Sequence, residues 1–441
     1  MTRLPDTHPA LRGGPYQGYV YAYPHKTAYR RLDPPRPLAE VWAAEPRSGL
    51  FLYVHVPFCT MRCGFCNLFT TPKPRSGLAA LYLDALRRQA EAVRAALPEP
   101  HFARCAVGGG TPTYLDEDEL ADLFDVAERV MGADLRAAPT GVEVSPDTLT
   151  AGKTQLLRSR GVRRVSIGIQ SFIEKETADS GRPQSRREVD AALTLLAGGA
   201  FPTVNVDLIY GLPGQTVATW LYSLRQALDF APDELYLYPL YVRPLTGLGR
   251  QRHGTDDIRP ACYRAGRELL LAAGYEQVSM RMFRRPGAAE GGPAYCCQED
   301  GMVGLGCGAR SYTRGLHYAL DYAVAPRGVR AILADYLSRG DADFAAADRG
   351  FVLDAGEQRR RYLLQSILNA DGLDAARYAA RFGTDPADDF ADLRAFADLG
   401  LLEHEGGWWR PTAAGLGWSD AIGPWFFSER VRALMAGYES K

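Results

Sequence analysis

A membrane-spanning run is missing from this chain. No stretch of about 18 apolar residues occurs in it, although 46% of its 441 residues are hydrophobic. A basic excess is missing as well. The 51 Lys and Arg are balanced by 52 Asp and Glu, for a net charge of −1, which argues against a broad nucleic-acid footprint. The opening residues, MTRLPDTHPALRGGPYQGY, hold no apolar core of the kind a secretory signal needs. Cysteine is sparse, with eight in the chain, and does not look like a disulfide framework. The length allows roughly two to three domains or one large barrel with appendages, and the cysteine usage leads one to expect a reducing cytoplasm.

What is there begins with three of those cysteines. Cys59, Cys63 and Cys66 stand as C-x3-C-x2-C, directly after the β-branched and aromatic run Phe51–Val56. The others (Cys105, Cys262, Cys296, Cys297, Cys307) are scattered apart from one adjacent pair. Three thiolates can each take one iron of a 4Fe-4S cluster, which normally has four cysteine ligands. The missing fourth leaves one iron with open positions for a small molecule, whereas a structural zinc site would close its shell. Taken alone, the spacing still admits three chance cysteines, or a zinc site lacking a distant fourth ligand.

From residue 50 onward, strand-like and helix-like runs alternate. Strands are expected at Phe51–Val56, Phe102–Val107, Gly141–Val144, Arg164–Ile169, Val204–Tyr210 and Glu234–Tyr238. Between them, helices are expected at Leu78–Leu97, Glu117–Val130, Lys153–Arg160, Arg186–Ala197 and Ala218–Phe230. Such alternation predicts right-handed βαβ units and a parallel sheet, enough to close part of a TIM-like barrel. Reactive groups in parallel barrels collect at the C-terminal ends of the strands.

Around this core, residues 1–48 form an aromatic segment, with Tyr16, Tyr19, Tyr21, Tyr23 and Tyr29 among turn formers. It reads either as a structural wrap or as a lid with Tyr21, Tyr23, His25 and Lys26 facing substrate. Residues 49–245 are the barrel, and 246–344 an extension on the substrate side. Residues 345–441 form a smaller α+β unit of winged-helix type, with helices at Glu357–Asn369 and Leu373–Phe382 and a hairpin around Gly406-Gly407-Trp408.

Several residues carry chemistry by type and place. Gly108-Gly109-Gly110-Thr111-Pro112-Thr113 follows the second strand, and its glycines let backbone approach a ligand closely. Glu143, between two valines on a buried strand, is costly unless paired or bound to something. Gln170 and Asp207 sit at later strands, and Arg182 offers a fork that suits a carboxylate. The stretch Tyr295–Ser311 holds Cys296 and Cys297 beside Glu299 and Asp300. It reads as packing and a capped turn, or as a substrate-side cluster with a hydrogen-atom donor thiol or acid/base groups. Arg281, Arg284 and Arg285 read as sites for an anionic substrate or as an exposed basic face.

The cysteine motif, with the words YVHVPFC and CGFC around it and GGGTPT downstream, resembles the radical S-adenosylmethionine (SAM) superfamily. Within it, the chain is similar to the HemN-like branch of oxygen-independent coproporphyrinogen III oxidase and its relatives. The resemblance implies a partial (β/α)6 barrel and a HemN-like C-terminal domain, the latter through Thr412-Ala413-Ala414-Gly415. It implies a 4Fe-4S cluster on Cys59, Cys63 and Cys66, and reductive cleavage of SAM to a 5′-deoxyadenosyl radical that takes hydrogen from an organic small molecule. It carries over Gly109, Gly110, Thr111, Glu143, Gln170, Arg182 and Asp207 as SAM contacts, and Tyr53 and Phe65 as aromatic lining. Gly110, Thr111, Tyr241 and Arg310 match a site for a second SAM, so one or two molecules are expected. Tyr241 and Arg310 replace small or apolar residues of the oxidase there. The implied partners are a small-molecule substrate and a reductant such as flavodoxin or ferredoxin. Three outcomes follow from the resemblance: an oxidase-like reaction, two-SAM methyl or methylene transfer, or a heme-binding chaperone. The chaperones' Asn- and Trp-containing motif is absent, which counts against the third. The altered second glycine segment counts against a strict porphyrinogen oxidase.

Overall fold

The computed structural model describes residues 8–199, 201–250, 257–288 and 301–439. It divides into two compact units. The larger comprises Tyr29–Gly266, Gly287–Val352 and Glu439–Lys441, and the smaller Met1–Ala28, Arg267–Pro286 and Leu353–Tyr438.

The larger unit is built on one sheet. Its strands are β1 (Arg30–Pro37), β2 (Leu50–Val56), β3 (Phe102–Gly109), β4 (Thr140–Val144), β5 (Arg164–Gln170), β6 (Thr203–Tyr210), β7 (Glu234–Pro239), β8 (Met302–Leu305), β9 (Arg310–Tyr312), β10 (Leu316–Ala319) and β11 (Ala346–Val352). Strands β2 to β7 pair in sequence order and in parallel. Helices Leu78–Ala96, Glu117–Asp125, Ala151–Ser159, Arg186–Gly198 and Val217–Leu228 connect them. This is the expected α/β partial barrel. The helix starts are written in the sequence. Asp116 and Ser185 close capping boxes with Glu119 and Glu188, and Thr150 caps the helix that follows it.

The sheet extends further than the sequence reading did. β8 lies parallel to β2 on its other side, with Met302 opposite Phe51 and Leu305 opposite Val54. β9, β10, β11 and β1 then continue it in antiparallel fashion. The glycine-rich run that reads as a turn therefore contains a strand, because Gly304 lets the backbone of Arg310 pass at a distance no side chain would allow.

The pleat sorts the parallel strands into two faces. Val142, Val144, Val165, Ile167, Val206, Leu208, Leu235 and Leu237 form an apolar face and are all buried. The alternate positions, including Tyr53, His55, Glu143, Arg164, Ser166, Asn205, Asp207 and Glu234, make the second face polar. No helix among the described residues is long and apolar enough to cross a membrane.

In the smaller unit, helices Ala355–Ile367, Ala375–Phe382 and Asp392–Asp398 accompany a three-stranded sheet. Its hairpin pairs Leu402–Glu405 with Trp408–Pro411, and turns through Gly406 and Gly407, both at positive φ. Two sequence readings are corrected here. The Tyr23 side chain does not face a substrate. It is 1% exposed, its hydroxyl bonds the Glu357 carboxylate, and it accepts from Ser428 N at 3.2 Å. Arg281 belongs to no exposed basic face and is not open to an anionic substrate. It is buried against Asp420, with Nη1 donating to Oδ1 at 3.0 Å, and the Tyr19 ring covers its guanidinium at 3.8 Å.

Candidate active site

The cysteine loop leaves the C-terminal end of β2 and is fastened on several sides. Phe58–Cys59 pairs in parallel with Thr71–Pro72, and Lys73 N donates to the Cys59 carbonyl at 2.9 Å. Gly64 N donates to Ser180 O and Gly64 O accepts from Leu248 N, both at 2.8 Å. A Cβ on Gly64 would stand 2.7 Å from Ser180 O, which explains the glycine between Cys63 and Phe65. The three thiols are half-buried and unbridged. Burial pushes the Cys59 thiol up to about 12, with Cys66 and Cys63 adding to it. Burial and then Cys63 raise Cys66 as well. A cationic metal centre reverses that balance and holds the thiolates. Among the described residues no three His, Cys, Asp or Glu side chains converge on a single metal-ion position.

The glycine triplet ends β3 beside this loop. Gly109 has φ +116, and a Cβ there would meet the His55 imidazole at 2.6 Å. A Cβ on Gly110 would meet Phe58 O at 2.6 Å and Cys59 Sγ at 3.0 Å. Thr111 Oγ1 reaches Cys59 Sγ at 3.6 Å. Gly109 N donates to Glu143 Oε2 at 3.0 Å. The Glu143 side chain keeps accessible surface, although protein atoms surround its carboxyl closely. Burial raises its carboxyl from 4.5 to about 7.

Arg182 ties the cysteine loop to the strand ends. Its guanidinium donates to Cys63 Sγ at 3.3 Å, to Ser145 Oγ at 3.1 Å and to the Gly168 carbonyl at 2.7 Å. Gln170 closes β5 at φ +68, where the register against β6 slips. Asp207 accepts from Ser166 Oγ at 3.0 Å and Asn205 Nδ2 at 2.8 Å, and burial raises its carboxyl. Arg164 pairs with Glu234 at 2.8 Å further along the same face.

Of the aromatic positions, Tyr53 lies on the polar face, its hydroxyl 3.3 Å from His55 Nδ1. Phe65 packs with Tyr238 against Ile209, Leu212, Leu240 and Leu248. Tyr241 follows β7, with the Arg243 guanidinium 5.2 Å over its ring. Arg310 opens β9, and its charge acts on Tyr53 against the effect of burial. Of the expected residues of the larger unit, the three cysteines, Gly109, Gly110, Thr111, Glu143, Gln170 and Tyr241 lie at or just beyond the C-terminal ends of parallel strands, while Tyr53 and Asp207 lie mid-strand on the polar face and Arg310 opens the antiparallel β9. Cys296, Cys297 and Glu299 lie outside the described residues. His55 was missed by the sequence reading. It is 4% exposed and bonds Phe69 O at 3.0 Å. A polar residue between valines, the signal used for Glu143, would have found it.

A family model described as the radical SAM superfamily matches residues 53–227, and one described as the HemN C-terminal domain matches residues 353–418. The chain is 31% identical to the heme chaperone HemW of Escherichia coli (strain K12), over 59% of this chain and 69% of that protein. It is 28% identical to the oxygen-independent coproporphyrinogen III oxidase of the same organism, over 87% of each. The oxidase of Bradyrhizobium diazoefficiens is 29% identical over 78% of this chain and 79% of its own length. The solved structure of coproporphyrinogen III oxidase (HemN) from Escherichia coli superposes with a TM-score of 0.80 at 25% identity, covering 92% of this chain and 96% of that one. The chain belongs to the radical SAM superfamily, in its HemN-like branch. Its cofactors are those of the superfamily, a 4Fe-4S cluster and SAM.

Proposed function

We propose that Cys59, Cys63 and Cys66 hold the cluster, and that this radical SAM enzyme abstracts hydrogen from an organic small molecule in an oxidase-like reaction. The donor set fits the group: three thiols on a fastened loop, and Gly110, whose Cβ would stand 3.0 Å from Cys59 Sγ. The observation that carries the reading is the Arg182 contact to Cys63, on the loop that Gly110 and Thr111 also touch.

When bound, the cluster and SAM supply a 5′-deoxyadenosyl radical. The chain's residues hold and orient. Arg182 donates to a cysteine sulfur, which stabilises added negative charge there. Glu143 receives the ammonium of SAM, and that cation draws its raised carboxyl into the charged form. Gly109, Gly110 and Thr111 present backbone groups to the same ligand. Asp207, oriented by Asn205 and Ser166, accepts from ribose hydroxyls. Phe65 and its apolar neighbours keep water from the site.

The oxidase-like outcome is supported by extent, since the two oxidases described align with 78% and 87% of the chain and HemW with 59%. A second reading is two-SAM methyl or methylene transfer, favoured by the match of Gly110, Thr111, Tyr241 and Arg310 to a site for a second SAM. The test is anaerobic incubation of the reconstituted protein with SAM and dithionite, with products quantified by mass spectrometry. 5′-Deoxyadenosine without S-adenosylhomocysteine supports the first reading, and both products together move the assignment to the second. Neither product, together with stoichiometric heme uptake, would replace both with a heme-binding role.

A further inference from the structure

The segment that buttresses the cysteine loop also walls a groove. Thr70–Arg75 and Leu78 form one side, and helix Pro326–Ser338 the other, enclosing about 450 Å³. Its floor is apolar, with Leu78, Val329 and Leu333 buried. Its rim is basic. Lys73, Arg75 and Arg330 are exposed, and none of the three has an ion-pair partner among the described residues. Two large apolar side chains stand out nearby in the sequence, Leu68 at 45% exposed and Leu81 at 48%. The chain as a whole carries a net charge of −1, so this basic rim is a local feature. An apolar centre ringed by charge of one sign suits a protein partner of the opposite sign.

The groove wall is in contact with two of the three cysteines. Lys73 N donates to the Cys59 carbonyl at 2.9 Å, and Thr70 Oγ1 lies 4.0 Å from Cys66 Sγ. A partner seated there is one hydrogen bond from the cysteine loop.

We propose that this groove is the docking surface for an acidic one-electron carrier protein, which reduces the cluster through the Thr70–Lys73 segment. The proposal rests on the cluster assignment to Cys59, Cys63 and Cys66. The reduced carrier loses one electron, the oxidised cluster gains it, and no bond forms or breaks in that step. Charge complementarity selects an acidic carrier and accelerates encounter.

The test compares wild type with a Lys73→Glu, Arg75→Glu, Arg330→Glu variant, and with Arg158→Glu as a control on another helix. Lys73→Glu keeps the backbone N–H that holds Cys59. Two readouts use reduced flavodoxin: its binding to the protein as isolated, and anaerobic bleaching of the reconstituted cluster by stopped flow. Dithionite, which needs no docking surface, is the reference reductant. The expected result is a loss of about tenfold or more in flavodoxin binding and bleaching rate, with dithionite bleaching and the control unchanged. Wild-type binding should weaken as salt rises. Flavodoxin bleaching at the wild-type rate in the triple variant would overturn the proposal, and so would equal losses with both reductants. If docking is lost in the variant but wild type yields no 5′-deoxyadenosine with either reductant, the docking surface stands and the proposed reaction fails.

Discussion

Arg182 donates from Nη1 to Cys63 Sγ at 3.3 Å while its Nη2 holds the Gly168 carbonyl at 2.7 Å. One guanidinium thus joins the cysteine loop to the end of β5. Lysine would keep the charge but not the fork. Arg182→Lys is expected to take up the cluster and lose about tenfold or more in SAM cleavage, the equivalent of one charge-assisted hydrogen bond at about 1.5–3 kcal/mol. Iron content and 5′-deoxyadenosine yield, measured on the same sample, check this.

Gly109 combines φ +116 with a Cβ position 2.6 Å from His55. Gly109→Ala therefore strains the backbone and displaces the imidazole. The expected loss is about 1–3 kcal/mol of stability, read as a lower thermal midpoint of the cluster-free protein. His55→Ala in the same background should recover part of it, because one of the two clashes is removed.

Glu143 gives a pH dependence of defined sign. Its carboxyl lies at about 7 in the fold against 4.5 for the free group. The unfolded chain releases that proton first, so the stability Glu143 confers is present below pH 4.5 and falls as pH rises toward 7. Glu143→Gln should lose less stability than wild type over that interval. SAM binding should run the other way, tightening in wild type as the carboxylate forms and staying flat in the variant. Thermal unfolding and calorimetric titration across the interval decide both.

In the smaller unit, Asp420 and Arg281 are buried to 2% and 5% side-chain exposure. Asp420→Ala leaves a buried guanidinium without its carboxylate, at a cost of about 3–5 kcal/mol. Chemical denaturation of the variant measures this. Replacing both partners with apolar residues should cost less than the single change.

The parallel core was legible because short apolar runs alternate with stretches of helical periodicity; side-chain caps at Asp116, Thr150, Ser185 and Thr216 set four of the five connecting helix starts, while Leu78–Ala96 starts at Gly77 without one. The glycines at 109 and 110 were legible as close-approach positions. Three features were hidden for physical reasons. β8 was masked by the glycines that allow it to pack against Arg310, since those residues also signal turns. Arg281 looked exposed because its partner Asp420 is 139 positions away in the chain. The lid reading of Tyr23 failed for the same reason, its partner Glu357 being 334 positions distant. Local pattern reports periodicity and capping, but a buried polar residue finds its partner only in the fold.

The central claim is that three cysteines on one loop hold a cluster that SAM can reach. The most direct measurement is electron paramagnetic resonance of the anaerobically reconstituted, dithionite-reduced protein, before and after SAM is added. Wild type should give a reduced-cluster signal that changes shape with SAM, and Cys63→Ala should give neither signal nor response. A wild-type signal indifferent to SAM, or a full signal in Cys63→Ala, would contradict the account.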